Sequence, residues 1–332
     1  MKTVSSISLK PRDIFKLVED DLKEVEVSLR AASKANFSLI DDVNEYLHDS
    51  GGKRVRPLIL ILSAKMCGFE GKSTLVLGSV VELIHVATLV HDDIIDHANV
   101  RRGKPSVNMA WGNQITVLMG DWLYMTSFRQ ALELRNFQIL DILIDITREM
   151  VEGELMQLDQ QGRIDLSVEE HLDVCRRKTA HLFAGCGRLG AILGGVDNDQ
   201  ADKLHEYGHA LGMVFQLMDD MLDYTSTEDT LGKPVLKDLV ERRTTLPIIH
   251  LMQRANSAEK GFIRDVVESQ DFSPQNKQQI IKLVQDYGTL EESRALVKDY
   301  VRQAMNAILE FPDSVYRDAL MSLAGLMMDR NK

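Results

Sequence analysis

Apolar residues recur along this chain every three or four positions, with charged residues between them. That period is helical, and no strong run of strict alternation argues for a strand. The pattern predicts helices near 12–33, 37–48, 57–67, 73–96, 114–134, 137–161, 168–193, 199–224, 244–254, 258–269, 274–287, 289–310 and 313–329. The punctuation agrees: all seven prolines (Pro11, Pro57, Pro105, Pro234, Pro247, Pro274 and Pro312) fall where helices should start or stop. Ser167 to Glu170 reads as a capping box, and Thr289 to Glu292 as another, with Gly288 closing the helix before it. Ser273-Pro274 reads as an N-cap followed by proline at the first helical position. The expected class is all-α. No Gly/Ser/Pro-rich linker divides the chain, so 1–332 reads as a single domain.

Two of these helices end in the same acidic signature, Asp92-Asp93-Ile94-Ile95-Asp96 and Asp219-Asp220-Met221-Leu222-Asp223. Residues four apart share a helical face, so Asp92 pairs with Asp96 and Asp219 with Asp223. Clustered carboxylates repel one another and lose hydration when buried, and multivalent cations offset both penalties. Oxygen-only ligands select hard ions, Mg²⁺ above all, which commonly bridge to substrate phosphates. A solvated acidic face would not need the apolar flanks Leu89-Val90 and Phe215 to Met218. The expectation is that the clusters face each other around a diphosphate.

Composition narrows the classes. A net charge of −11 implies no broad basic surface, which argues against nucleic acid as a partner. The three cysteines form no CxxC pattern and suit a reducing cytosol as buried apolar groups. No run of about 18 uncharged apolar residues predicts a membrane span, and Met1 to Arg12 lacks the apolar stretch of a signal peptide.

Three basic groupings complement the carboxylates. Gly51-Gly52-Lys53-Arg54-Val55-Arg56-Pro57 places charge before a helix start that favours anions. Val100-Arg101-Arg102-Gly103-Lys104-Pro105 follows the first cluster directly, and arginine suits bidentate phosphate recognition. Lys178-Thr179, with Lys233 and Lys237, forms the third. The first also reads as an ordinary basic turn, Arg101 and Arg102 also read as neutralising the nearby carboxylates, and a lone Lys-Thr pair says little by itself. His85 lies two turns before Asp92 on the same stripe, where a satisfied structural histidine is the plain alternative.

Taken together, GGKRVRP at 51–57, LIHVATLVHDDIIDHANVRRGKPSVN at 83–108, GDWLY at 120–124, EGELMQL at 152–158, KTAHLFAGCGRLGAIL at 178–193, GMVFQLMDDMLDY at 212–224 and GKPVLKDLVERRTTLP at 232–247 resemble the all-trans polyprenyl diphosphate synthases. The octaprenyl and solanesyl long-chain group is the most similar. The resemblance implies an isoprenoid-synthase fold, a cytoplasmic homodimer and three Mg²⁺ ions with substrate bound. It also implies successive condensations of isopentenyl diphosphate onto an allylic diphosphate, giving a chain such as a quinone side chain, with transient membrane contact for product release. It implies that Asp92 and Asp96 chelate Mg²⁺ with Asp93 supporting, and that Asp219 holds a further ion with Asp220 and Asp223 near it. Lys53, Arg56, His85 and Arg102 would bind isopentenyl diphosphate. Arg101, Lys178, Thr179, Gln216 and Lys233 would bind the allylic substrate. One block departs: Leu236-Lys237-Asp238 stands where many members have a Gly-Asp-Asp-like stretch, and Arg242-Arg243 replaces a common Gly-Lys.

Competing readings are a terpene cyclase, a metal-dependent phosphohydrolase suggested by His91-Asp92, a shorter geranylgeranyl-type synthase and a non-catalytic subunit of a heteromeric synthase. A cyclase needs no second basic site, a hydrolase wants further histidines, and a silent subunit should have lost part of a cluster. For product length, Ala87 and Thr88 sit one turn below the first cluster and are small, so a tail should pass. Eight isoprene units extended need ~40 Å, on the order of 27 helical residues. Tyr124 and Phe128 are the candidate floor.

Overall fold

The computed structural model describes residues 9–49, 51–225 and 235–328. Its elements, in order, are α1 Pro11–Lys16, α2 Glu19–Ala32, α3 Ser38–Asp49, α4 Val55–Met66, α5 Ser73–Ile95, β1 Val100–Arg101, β2 Lys104–Pro105, α6 Val107–Trp111, α7 Asn113–Glu133 and α8 Phe137–Asp159. Next come α9 Val168–Cys175, a π-helical turn Arg176–Ala180, α10 His181–Gly194, α11 Asn198–Thr225 and α12 Lys237–Val240. The chain ends with α13 Leu246–Arg254, α14 Ser257–Ser269, α15 Pro274–Asp286, α16 Thr289–Ala307 and α17 Val315–Met328. The all-α expectation holds, with local departures. The run expected at 12–33 breaks at Val18, whose φ of −132° leaves helical space while its side chain stays buried. A short antiparallel hairpin, unexpected from the pattern, pairs Val100 with Pro105 and Arg101 with Lys104. Its two-residue loop, Arg102-Gly103, has positive φ at both positions, which matches the twist of a tight hairpin.

The chain divides into two compact units. One comprises Met1–Thr147, Gly185–His205 and Glu310–Ser322. Within it, α5 packs against α2, α4 and α7. Leu58 to Leu62 of α4 are all fully buried, because a helix apolar on every side belongs at a core. Helix α5 is long and apolar enough to cross a membrane, but most of it is buried here and it carries Glu82 and His85, as a core helix can.

The other unit comprises Arg148–Ala184, Glu206–Leu309 and Leu323–Lys332. Its core gathers Ile248 and Leu251 of α13, Ile263 and Val266 of α14, and Ile280 and Val284 of α15. Ser167 caps α9 in the expected capping box with Glu170. The second expected box does not form: Gly288 in the left-handed region is the N-cap of α16, and the Thr289 hydroxyl donates to the Val284 carbonyl instead. The box the pattern missed is Asn256 with Glu259. Ser273 and Pro274 start α15 as expected.

Candidate active site

The first acidic cluster closes α5 in the first unit. Asp92 and Asp96 are half-buried, within reach of a hydrated ion, whereas Asp93 is 3% exposed. The Arg101 guanidinium donates to the Asp93 carboxylate at 2.7 Å, with both its Nε and a terminal nitrogen on one oxygen. Asp93 therefore anchors the hairpin that carries Arg101 and Arg102. His91 turns toward α7, where its Nε2 lies 3.1 Å from the Val117 carbonyl. A side chain at Gly120 would collide with the His91 ring, which gives the glycine of the GDWLY segment a packing reason. Tyr124 stacks beside His91 at 5.9 Å and stays protonated far above its ordinary range, through burial and then the charges of Asp92 and Asp121. It stands beside the acidic cluster. Ala87 is fully buried in a cluster with Leu83, Val90, Met119 and Leu123. Thr88 is half-buried, its hydroxyl donating to the His85 carbonyl at 2.7 Å, and Phe128 is half-buried on α7.

The cationic residues of this unit come together. His85 is held well below its ordinary imidazole range, first by burial and then by the guanidiniums of Arg56, Arg102, Arg54 and Arg101. Arg56 is itself lowered by burial, with Arg102 adding to the effect and Glu82 opposing it. Arg101 is paired with Asp93, and Arg54 with Glu26 and Glu82, so the protein's own carboxylates offset part of this positive charge. Arg54, which the pattern left unassigned, is the strut. It begins α4 at a φ of 50°, pairs with Glu26 of α2 and donates to buried Glu82 of α5 at 2.5 Å. Lys53 is exposed beside it.

The second acidic cluster lies on α11 in the other unit, and its three carboxylates are used differently. Asp219 is exposed. Asp220 is 5% exposed; its Oδ2 lies 3.0 Å from His171 Nε2, and its Oδ1 accepts from Gln216 Nε2 at 2.8 Å. Gln216 in turn accepts from the Thr179 hydroxyl at 2.7 Å. The Asp223 carboxylate accepts the backbone N–H groups of Lys237 at 2.9 Å and Asp238 at 3.0 Å, so it caps α12. Burial raises the Asp223 carboxyl despite those two donors. Asp238 is pushed up to about 7 by burial and then by Asp220, with Arg243 at 3.0 Å opposing. Lys237 is exposed and reaches Glu241, while Lys233 lies outside the described residues.

Lys178 and Thr179 sit in the π-helical turn, where one extra residue re-aims the side chains. Lys178 pairs with Glu154 at 2.5 Å. Arg177 bridges Glu149 at 2.8 Å and Glu152 at 2.7 Å. A Cβ at Gly153 would fall 2.7 Å from the Lys178 backbone nitrogen, so only glycine lets α8 approach this turn. Hydrophobic periodicity cannot register a π turn, and Glu154 could be found only through its place in the EGELMQL block.

A helical chain with two carboxylate clusters, a cluster of cations and a lysine-bearing π turn is equipped to handle organic diphosphates. A sequence model of the polyprenyl synthetase family matches residues 37–284. The chain is 36% identical over 319 residues to an octaprenyl diphosphate synthase of Haemophilus influenzae, covering 96% of this chain and 97% of that one. It is 34% identical over 320 residues to an all-trans-nonaprenyl-diphosphate synthase (geranyl-diphosphate specific) of Rhodobacter capsulatus, covering 96% and 98%. A polyprenyl synthase from Caulobacter crescentus, solved with calcium and isoprenyl diphosphate, matches with a TM-score of 0.92 at 33% identity over 98% of this chain and 99% of that one. The chain belongs to the polyprenyl synthetase family; it has the isoprenoid-synthase fold and is a trans-prenyltransferase.

Proposed function

We propose that the whole chain acts as one synthase domain that extends an allylic diphosphate, such as farnesyl diphosphate, by repeated condensation with isopentenyl diphosphate in the presence of Mg²⁺. The product is a long all-trans chain of seven to ten isoprene units, octaprenyl being the central value. The gathering of Arg56 and Arg102 about His85 carries this reading, because a cyclase needs no such second anion site. Relatives named for octaprenyl and nonaprenyl products support a long chain without selecting one length.

The donor set fits Mg²⁺. Asp92, Asp96 and Asp219 offer oxygen ligands at accessible positions, as a hard, reluctantly dehydrated ion requires. When bound, Mg²⁺ supplies the positive charge that makes the allylic diphosphate a good leaving group. Lys178, Thr179, Gln216, Arg101 and Lys233 bind the same diphosphate. Lys53, Arg56, His85 and Arg102 bind isopentenyl diphosphate. Preorganised charges favour separation of the diphosphate from the allylic carbon, and the isopentenyl double bond attacks the resulting cation. The released diphosphate accepts the proton, since no side-chain base is assigned to it. Apolar walls keep water from quenching the cation. Both acidic clusters are complete, which favours a catalytic chain over a silent subunit. His91 is engaged with α7, which weighs against its being a hydrolase metal ligand.

The enzyme works in the cytoplasm as a homodimer, with brief membrane contact to release product. Incubation with farnesyl diphosphate, isopentenyl diphosphate and Mg²⁺, followed by reversed-phase chromatography, should give a product near eight units. Diphosphate release should require both substrates. Release from the allylic substrate alone, without elongation, would overturn the reading.

A further inference from the structure

His171, Cys175 and Asp220 form a buried cluster, and the condensation chemistry gives His171 and Cys175 no role. They are 8%, 3% and 5% exposed. His171 and Cys175 are four residues apart on α9 and so share a face. Asp220 meets them from α11. His171 Nε2 lies 3.0 Å from Asp220 Oδ2 and 3.4 Å from Cys175 Sγ, and one ligand atom from each residue lies within 4.8 Å of the others.

We propose that these three side chains form a binding site for a borderline-soft divalent cation of the zinc class, separate in chemistry from the Mg²⁺ ligands. The donor set makes the distinction. Mg²⁺ takes oxygen ligands in octahedral array, whereas one imidazole nitrogen, one thiolate sulfur and one carboxylate oxygen suit Zn²⁺ or Co²⁺. With the usual zinc bond lengths, tetrahedral geometry separates nitrogen from oxygen by about 3.3 Å and nitrogen from sulfur by about 3.6 Å. The nitrogen–oxygen and nitrogen–sulfur separations each need to widen by only a few tenths of an ångström to admit the ion, and the sulfur–oxygen separation lies within 4.8 Å. The carboxylate is already oriented for it: Gln216 holds Asp220 Oδ1 at 2.8 Å, leaving Oδ2 toward His171. Such outer hydrogen bonds are what fix a ligand's direction at a metal centre.

Binding breaks the Cys175 S–H bond as the metal–sulfur bond forms, and the proton goes to solvent. The imidazole binds through Nε2 in its neutral form, giving up any proton it holds there. Three protein ligands leave one coordination position for water. No oxidant or reductant is involved.

The test is titration of the full-length protein with Co²⁺ in saturating Mg²⁺, followed by near-ultraviolet absorption. A thiolate-to-cobalt charge-transfer band should rise to one Co²⁺ per chain and be displaced by Zn²⁺. Cys175→Ser should abolish the band, and His171→Asn should weaken Co²⁺ binding by about tenfold or more. Cys67→Ser and Cys186→Ser should retain it. Circular dichroism checks that each variant folds. If Cys175→Ser does not fold, the wild-type spectrum and His171→Asn still decide the matter. Absence of the band from the wild-type protein, or His171→Asn with unchanged affinity, overturns the proposal.

Discussion

Asp92 and Asp219 are accessible where Asp93 and Asp220 are buried and hydrogen-bonded, so identical motif letters do different work. Asp92→Ala or Asp219→Ala should reduce turnover below ~1% of wild type, given the size of single electrostatic effects in catalysis. The folded state should be intact by circular dichroism. Activity above that level in both variants would refute the ligand assignment. The i, i+4 spacing made the clusters legible in the sequence. The division of labour within them was not, because it depends on partners distant in sequence: Arg101 for Asp93, His171 for Asp220 and the amides of residues 237–238 for Asp223. Asp238 shows the same limit. Its carboxyl titrates near 7, raised by burial and by Asp220, against 3.8 when unfolded. Below pH 3.8 both states hold the proton. As pH rises toward 7 the unfolded chain releases it first, so stability is lost across that window. Asp238→Asn removes this dependence. Urea unfolding without divalent ions, from pH 4 to 8, should show a shallower decline in the variant. The difference should be a few kcal/mol at most, since each decade of the window is worth about 1.4 kcal/mol. Parallel declines would contradict the assignment.

At the scale of elements, long helices were readable because their apolar period is sustained, and the end of α5 at the acidic cluster was anticipated closely. The hairpin carrying Arg101 and Arg102 was missed, since two residues per strand leave no alternation to count. The π turn was missed because it interrupts a helix without interrupting its apolar residues. The neighbours of α5 also refine the length argument. Ala87 and Thr88 were equivalent in sequence, but Ala87 is packed among Leu83, Val90, Met119 and Leu123. A phenyl ring there would overfill a formed core, at about 1–3 kcal/mol. Thr88 is half-buried and four residues before Asp92, on the same stripe. Thr88→Phe is therefore the cleaner obstruction, and it should shift the main product to three or four isoprene units while the first condensation persists. An unchanged product ladder would mean that the tail does not follow this stripe.

On the whole molecule, the apolar residues left outside are as informative as those in the core. Leu118, Met125 and Leu132 of α7 are 67%, 64% and 44% exposed, and they recur every seven residues. Seven residues are close to two helical turns, so all three stand in one line on one face. Phe137 and Ile144 repeat the spacing on α8, at 79% and 53% exposed. Nothing is gained by showing such stripes to water, and contiguous exposed apolar surface marks an interaction site. The seven-residue repeat suits helices that pack side by side with those of a second copy. These positions were hidden in the sequence, where they share the apolar period of the core; only burial separates the two sets. Replacing Met125 and Leu132 together by glutamate should convert the proposed dimer to monomer in sedimentation velocity, because two like charges per protomer would be brought into an apolar contact and desolvated. Far-ultraviolet circular dichroism should stay as in wild type, since both side chains are on the exposed face of the protomer. A double variant that folds and still sediments as a dimer would exclude this face of α7 as the interface.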